Sequence, residues 1–167
     1  MGSNRIDTIF FDLDGTLVNP RWRLYRLFVE LTDCKLSYDG YWKLKDMGFN
    51  QSRMLREICF SKYSDEEFSR RWLENVERED LLEMDVLFGD VAGAIAELKG
   101  LGIKMHVVTN RQCYKELESE LQRLNIRDMF EKVISTFRKC TKADAIRMAG
   151  IEIGKAIFVG DSAEDMD

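Results

Sequence analysis

Ile9-Phe10-Phe11-Asp12-Leu13-Asp14-Gly15-Thr16-Leu17 decides how the rest of this 167-residue chain is read. A short apolar run ending in Asp-x-Asp-Gly-Thr predicts a buried strand that delivers two carboxylates to a tight turn at its carboxyl end. Ligands of open α/β sheets bind at those ends. Residues i and i+2 of an extended segment point the same way, so Asp12 and Asp14 leave the strand on one side before the turn separates them. Two carboxylates this close repel unless a proton or a cation stands between them. Gly15 supplies the backbone freedom to turn and expose N–H groups, and Thr16 adds a hydroxyl. An acidic turn would account for a lone Asp-x-Asp. The full nonapeptide goes further and suits phosphoryl transfer.

Downstream, residues 18–83 break any strand-helix alternation and predict an all-helical insert. Trp22, Tyr25, Phe28 and Val29, with Leu24, Leu27 and Leu31, make one broadly apolar helix. A second spans Tyr38 to Met47 and stops at Gly48. A third spans Gln51 to Phe60, with Met54, Leu55 and Ile58 at helical spacing. Ser64-Asp65-Glu66-Glu67 is a capping box for a fourth, which carries Phe68, Trp72 and Val76. From about Leu87 an α/β rhythm sets in. A helix follows Asp90, a strand runs Ile103 to Thr109, and a helix carries Tyr114, Leu117, Leu121 and Leu124. Lys132 to Thr136 is a short strand, Thr141 caps a helix closed by Gly150, and Ala156 to Val159 is a last buried strand. Such alternation predicts a parallel sheet with helical crossovers in three layers, a Rossmann-like α/β fold.

Three further polar groups fall at strand ends. Thr109 is followed by Asn110 and Arg111. A hydroxyl and exposed N–H groups there can hold a phosphoryl oxygen, although taken alone the segment reads as an ordinary strand-to-helix turn. Lys142 opens the helix after Thr141, with Lys139 close by. A helix-opening position can face a strand-end site, whereas most lysines are solvated. Asp161 and Asp165 follow the last strand as Gly-Asp-x-x-x-Asp. Hard oxygen ligands in that number suit Mg²⁺, which takes one or two carboxylates plus waters and phosphate. His106, the single histidine, lies mid-strand and reads as a packed or edge residue.

Composition bounds the function. Hydrophobic residues make up 45% of the chain, which allows a sizeable core, and a formal net charge of -5 disfavours non-specific nucleic-acid binding. No apolar run approaches a membrane span. Cys34, Cys59, Cys113 and Cys140 are irregularly spaced with no Cys-x-x-Cys pair, which favours reduced thiols and a cytoplasmic location.

With these motifs in this order, the chain resembles the haloacid dehalogenase superfamily of phosphohydrolases, whose first signature is Asp-x-Asp-Gly-Thr. The position of the insert resembles the phosphoglycolate phosphatase and β-phosphoglucomutase branch. The resemblance implies a discontinuous core, 1–17 and 84–167, and a helical cap, 18–83. It implies that Asp12 is the nucleophile and Asp14 the proton donor and acceptor. Thr109, Asn110, Gly15 and a lysine, Lys142 or Lys139, would hold the phosphoryl group. Mg²⁺ would sit on Asp12, Asp14 (through its carbonyl), Asp161 and Asp165. Lys45, Gly48, Asn50 and Arg53 flank a helix break in the cap and could face substrate; Arg53 is the candidate for its phosphate, and Arg21 and Arg23 are further candidates.

The expected activity is Mg²⁺-dependent hydrolysis of a small phosphorylated metabolite through a phosphoaspartate. An acid at position 14, which the dehalogenases that name the superfamily lack, favours phosphate esters over carbon–halogen bonds. A sugar phosphomutase would use the same core. A receiver-type phosphorylation switch also uses Asp, Thr, Lys and Mg²⁺, but there the phosphorylated Asp follows a later strand and no cap interrupts the chain. The ester and the oligomeric state stay open. The chain stops at Asp167, where relatives continue with a helix and usually at least one further strand. That predicts a truncated form with a frayed terminus, weakened Mg²⁺ binding and some self-association.

Overall fold

A computed structural model describes residues 6–59, 63–151 and 155–162. Two compact units emerge, one comprising residues up to Asn19 and from Val86 onward, the other Pro20–Asp85.

The first unit is built on β1 (Thr8–Phe11), β4 (Lys104–Thr109), β5 (Lys132–Ser135) and β6 (Ala156–Val159), with β2 (Val18–Asn19) and β3 (Val86–Leu87) as a separate pair. Its helices are α6 (Val91–Gly100), α7 (Tyr114–Arg123) and α8 (Lys142–Met148). The four-stranded sheet has the order β5-β4-β1-β6 and is parallel throughout. Period-two alternation explains its two covered faces. Ile9, Phe11, Met105 and Val107 share one core with Val91 and Ile95 of α6 and Leu117 and Leu121 of α7. Phe10 and Val108 point the other way, onto Ile146 of α8. Every strand of a parallel sheet ends at the same edge, so the residues after β1, β4, β5 and β6 are gathered there.

Val18 and Asn19 were expected in the helical insert. They instead pair antiparallel with Leu87 and Val86, so the chain leaves and re-enters the first unit through adjacent strands. A two-residue strand has no periodicity to read, which is why the pattern missed it.

The second unit contains α1 (Arg21–Thr32), α2 (Tyr38–Asp46), α3 (Gln51–Glu57), α4 (Asp65–Asn75) and the single-turn α5 (Glu79–Leu82). Ser37, Asn50 and Ser64 cap α2, α3 and α4, accepting from the N–H groups of Gly40, Arg53 and Glu67. α3 ends at Glu57, earlier than the expected Phe60, which lies outside the described residues. Phe28, Tyr41, Met54, Leu55 and Phe68 form the core, with Leu27, Val76 and Leu81 in a second cluster.

Two expectations fail in this unit. Arg23 is not open to a substrate: it is 2% exposed, and its Nε donates to Asp85 at 2.9 Å while Nη1 donates to the Val76 carbonyl at 2.9 Å. Cys34 and Cys59 are not free thiols but a disulfide, with Cα atoms 5.3 Å apart, inside the usual range for such a bond. Their separation of 25 residues hides the pairing, because it arises from tertiary packing and not from local spacing. The spacing argument for reduced thiols therefore survives only for Cys113 and Cys140.

Candidate active site

The turn after β1 is wound around one carbonyl. The N–H groups of Thr16, Leu17 and Val18 all donate to the Leu13 oxygen, at 3.3, 3.0 and 2.9 Å, and Gly15 donates to Val18 at 2.8 Å. Leu13 is fully buried, which anchors the turn in the core. Gly15 has φ +92°, a conformation in which any side chain is strained. A Cβ there would also collide with the carboxylate of Asp161. Gly15 is thus required twice, by the turn and by the acid lying against it.

Asp12 sits at the sheet edge, where its N–H donates to the Val159 carbonyl at 2.8 Å and ties the ends of β1 and β6 together. It is 6% exposed. Lys142 Nζ lies 2.5 Å from Asp12 Oδ1. That lysine is the first residue of α8, and α8 is pinned by Thr141, whose hydroxyl accepts from the Asp144 N–H at 3.1 Å and donates to the Asp144 carboxylate at 2.8 Å. The bond from Thr141 holds Asp144 below the usual carboxylate range. The rival Lys139 is exposed; its N–H donates to the Thr136 carbonyl at 2.9 Å.

Thr109 closes β4, 2% exposed, and its hydroxyl accepts from the Arg111 N–H at 3.3 Å. The Asn110 side-chain oxygen accepts from the Thr136 hydroxyl at 2.6 Å, which links the ends of β4 and β5. The loop from β5 to α8 is strained: Phe137 and Arg138 take φ of 49° and 54°. The hydroxyls of Ser135 and Thr136 hold it by accepting from the N–H groups of Phe137 and Arg138 at 3.0 and 3.1 Å.

Asp14 is engaged from an unexpected side. Arg111 donates to both of its carboxylate oxygens, at 2.7 and 2.8 Å, and its Nη1 donates to Glu120 at 2.8 Å. Neither Arg111 nor Glu120 was singled out from the sequence. A signal existed: Glu120 shares a face of α7 with Leu117 and Leu121, and an acid on an apolar stripe needs a buried partner.

The first unit thus brings together Asp12, Asp14, Gly15, Thr109, Asn110, Lys142 and Asp161 along one sheet edge. Asp165 lies outside the described residues. Arg53 belongs to the second unit, at the start of α3, where it donates to Glu57 at 3.0 Å and stacks on Phe49 at 3.7 Å. In the same unit Arg21 stacks on Trp42 at 4.6 Å, and burial lowers the Lys45 ammonium from its ordinary value. No group of three or more acids, histidines or cysteines placed to hold a metal ion is found among the described residues. Mg²⁺ needs fewer, taking one or two carboxylates beside waters and phosphate. Asp12 and Asp161, at adjacent strand ends with Gly15 leaving room for the Asp161 carboxylate, fit that requirement.

A parallel sheet with acids, a hydroxyl and a partly buried lysine on its carboxyl edge belongs to the class of α/β proteins that handle anionic ligands there. Within that class the chain belongs to the haloacid dehalogenase-like hydrolases, whose family model matches residues 9–167. Solved structures with the same fold include a haloacid dehalogenase-like family hydrolase from Streptococcus pneumoniae, with a TM-score of 0.70 and 20% identity over 96% of this chain and 78% of that one. An enzyme described as a predicted phosphoglycolate phosphatase, from Haemophilus somnus 129pt, gives 0.66 and 22% over 98% and 80%. A superfamily hydrolase of subfamily IA, variant 1, from Geobacter sulfurreducens PCA gives 0.66 and 21% over 96% and 80%. At these identities the likeness is one of fold. Among curated proteins, none matches the chain. No described helix is long and apolar enough to cross a membrane.

Proposed function

We propose that this hydrolase is a Mg²⁺-dependent phosphatase that cleaves a small phosphorylated metabolite through a phosphoaspartate. The observation that carries the reading is the ion pair between Asp12 and Lys142 at the carboxyl edge of the sheet. A nucleophilic carboxylate needs a cation beside it that can follow the charge onto the transferring phosphoryl group, and Lys142 supplies one.

In the first step an Asp12 carboxylate oxygen forms a bond to phosphorus as the ester oxygen leaves, and Asp14 gives that oxygen its proton. In the second, water attacks the phosphorus of the aspartyl phosphate, Asp14 takes the proton from water, and Asp12 is released with inorganic phosphate. The Thr109 hydroxyl and Lys142 hold the remaining phosphoryl oxygens, with Asn110 bracing that end of the site and Gly15 keeping the turn after β1 in shape. Mg²⁺, held by Asp12 and Asp161 with Asp165 and the Asp14 carbonyl as further candidates, would neutralise phosphoryl charge and orient the ester. The helical unit is assigned the choice of ester. Arg53 is its candidate contact, because an exposed i,i+4 pair with Glu57 is easily exchanged for substrate.

A panel of phosphate esters assayed with Mg²⁺ tests the reading, alongside Asp12→Asn. The expected outcome is turnover of at least one small ester, lost on chelation and lost in Asp12→Asn at an unchanged unfolding midpoint. Substantial turnover by a folded Asp12→Asn variant would overturn it.

A further inference from the structure

The arrangement behind Asp14 carries an inference that rests on the reading of Asp14 as the proton-transferring group. Arg111 is 4% exposed and held at every end. Its N–H is fixed by Thr109 Oγ1, and its carbonyl accepts from the Ser135 hydroxyl. On one side its guanidinium meets Glu120, itself 1% exposed, through Nη1 at 2.8 Å and Nη2 at 3.4 Å. On the other, Nε and Nη2 form a fork onto Asp14. Asp14 is the exposed member of this row: its side chain is 34% exposed, on a turn rather than in the strand.

An ionic row of this kind is a poor way to gain stability. Apolar residues of similar volume would commonly do as well or better, because two of its three charges are removed from water. What the row does supply is geometry. A bidentate guanidinium fixes a carboxylate in both position and plane, which a lysine's point charge does not. A lone aspartate on an exposed turn would otherwise sample several rotamers.

We propose that Arg111, braced by Glu120, is the positioning residue that sets where the Asp14 carboxylate stands for its proton transfers. Arg111 acts through Asp14 and is assigned no contact with the ester and no proton transfer of its own. Misplacing a reacting group by about an ångström costs roughly 10²-fold in rate, and that is the size of effect expected here.

A double-mutant cycle tests it, with kcat and KM measured on 4-nitrophenyl phosphate and on glycerol 2-phosphate. Arg111→Gln should lower kcat by ~10²-fold with KM little changed. In an Asp14→Asn background the same substitution should cost only a few-fold, since the residue it serves is already gone. Arg111→Lys, which keeps the charge and the contact with Glu120 but not the fork, should lose less and show the same disappearance in Asp14→Asn. It serves as the informative variant should Arg111→Gln fail to fold. Equal losses in both backgrounds would make Arg111 merely structural and overturn the inference while leaving the proposed phosphatase intact. An Asp14→Asn enzyme as fast as wild type would instead overturn the proton-transfer reading, and this inference with it.

Discussion

At the scale of single residues, the site is a set of side chains each fixed by a neighbour, and the predictions follow from what each neighbour does. Asp14→Asn removes proton transfer, so turnover should fall by ~10²–10⁴-fold. The formation of the phosphoenzyme should suffer least with 4-nitrophenyl phosphate, whose leaving group needs little protonation, and a first-turnover burst measures this. An equal loss for all esters would point to a disturbed metal site instead. His106 offers a pH prediction away from the chemistry. It is 1% exposed, stacked on Phe10, and neither ring nitrogen has a hydrogen-bond partner among the described residues. Burial lowers its imidazole below the ordinary 6.5, outweighing an opposing pull from Glu131; Lys132 and Lys104 add to the lowering. The unfolded chain therefore binds a proton that the folded chain refuses as pH drops below the ordinary value. Stability should decline from that pH downward until the folded-state value is reached. Denaturant unfolding of wild type and His106→Leu between pH 7.5 and 5.5 checks the sign: the variant should show the shallower loss.

At the scale of elements, legibility tracked how much of each signal was local. Caps at Ser64 and Thr141, the apolar stripe of α7 and the strand ends at Thr109 and Val159 depend on a few neighbouring residues, and the sequence displays them. Partners far apart in the chain were another matter. Arg23 read as a candidate substrate contact because its partner Asp85 lies 62 residues on, and Arg111 meets Asp14 across 97 residues. Cys34 and Cys59 were hidden for the same reason. These hidden pairs should be the costly ones to break. Asp85→Ala takes the carboxylate away from a buried guanidinium, and the expected loss is about 3–5 kcal/mol. Arg23→Met with Asp85→Leu should recover much of it, and chemical denaturation of the single and double variants measures both. Cys34→Ser should cost up to about 3.5 kcal/mol for a loop of this length. A thiol titration of the unfolded, unreduced protein should find Cys113 and Cys140 only.

At the scale of the whole molecule, the decisive arrangement is how the helical unit is spliced into the α/β unit. Each has its own core: Ile9, Phe11, Val107 and Leu117 in one, Phe28, Tyr41, Met54 and Phe68 in the other. The splice passes through β2 and β3, where Asn19 pairs directly with Val86. Two antiparallel strands whose last residues are paired can be closed by a two-residue turn such as Asn-Gly. Replacing 20–85 by that dipeptide should therefore leave the α/β unit folded, because no strand of the four-stranded sheet and neither of its core clusters draws on the removed residues. The row of Asp14, Arg111 and Glu120 and the pair of Asp12 and Lys142 also lie wholly outside the excised segment. Circular dichroism should show a cooperative unfolding transition. If the helical unit selects the ester, hydrolysis of 4-nitrophenyl phosphate should persist at a reduced rate while preference among natural esters is lost. A shortened protein without a cooperative transition would mean that the α/β unit draws its stability from residues 20–85. A folded one that kept the wild-type order of substrates would place selectivity on the sheet edge itself.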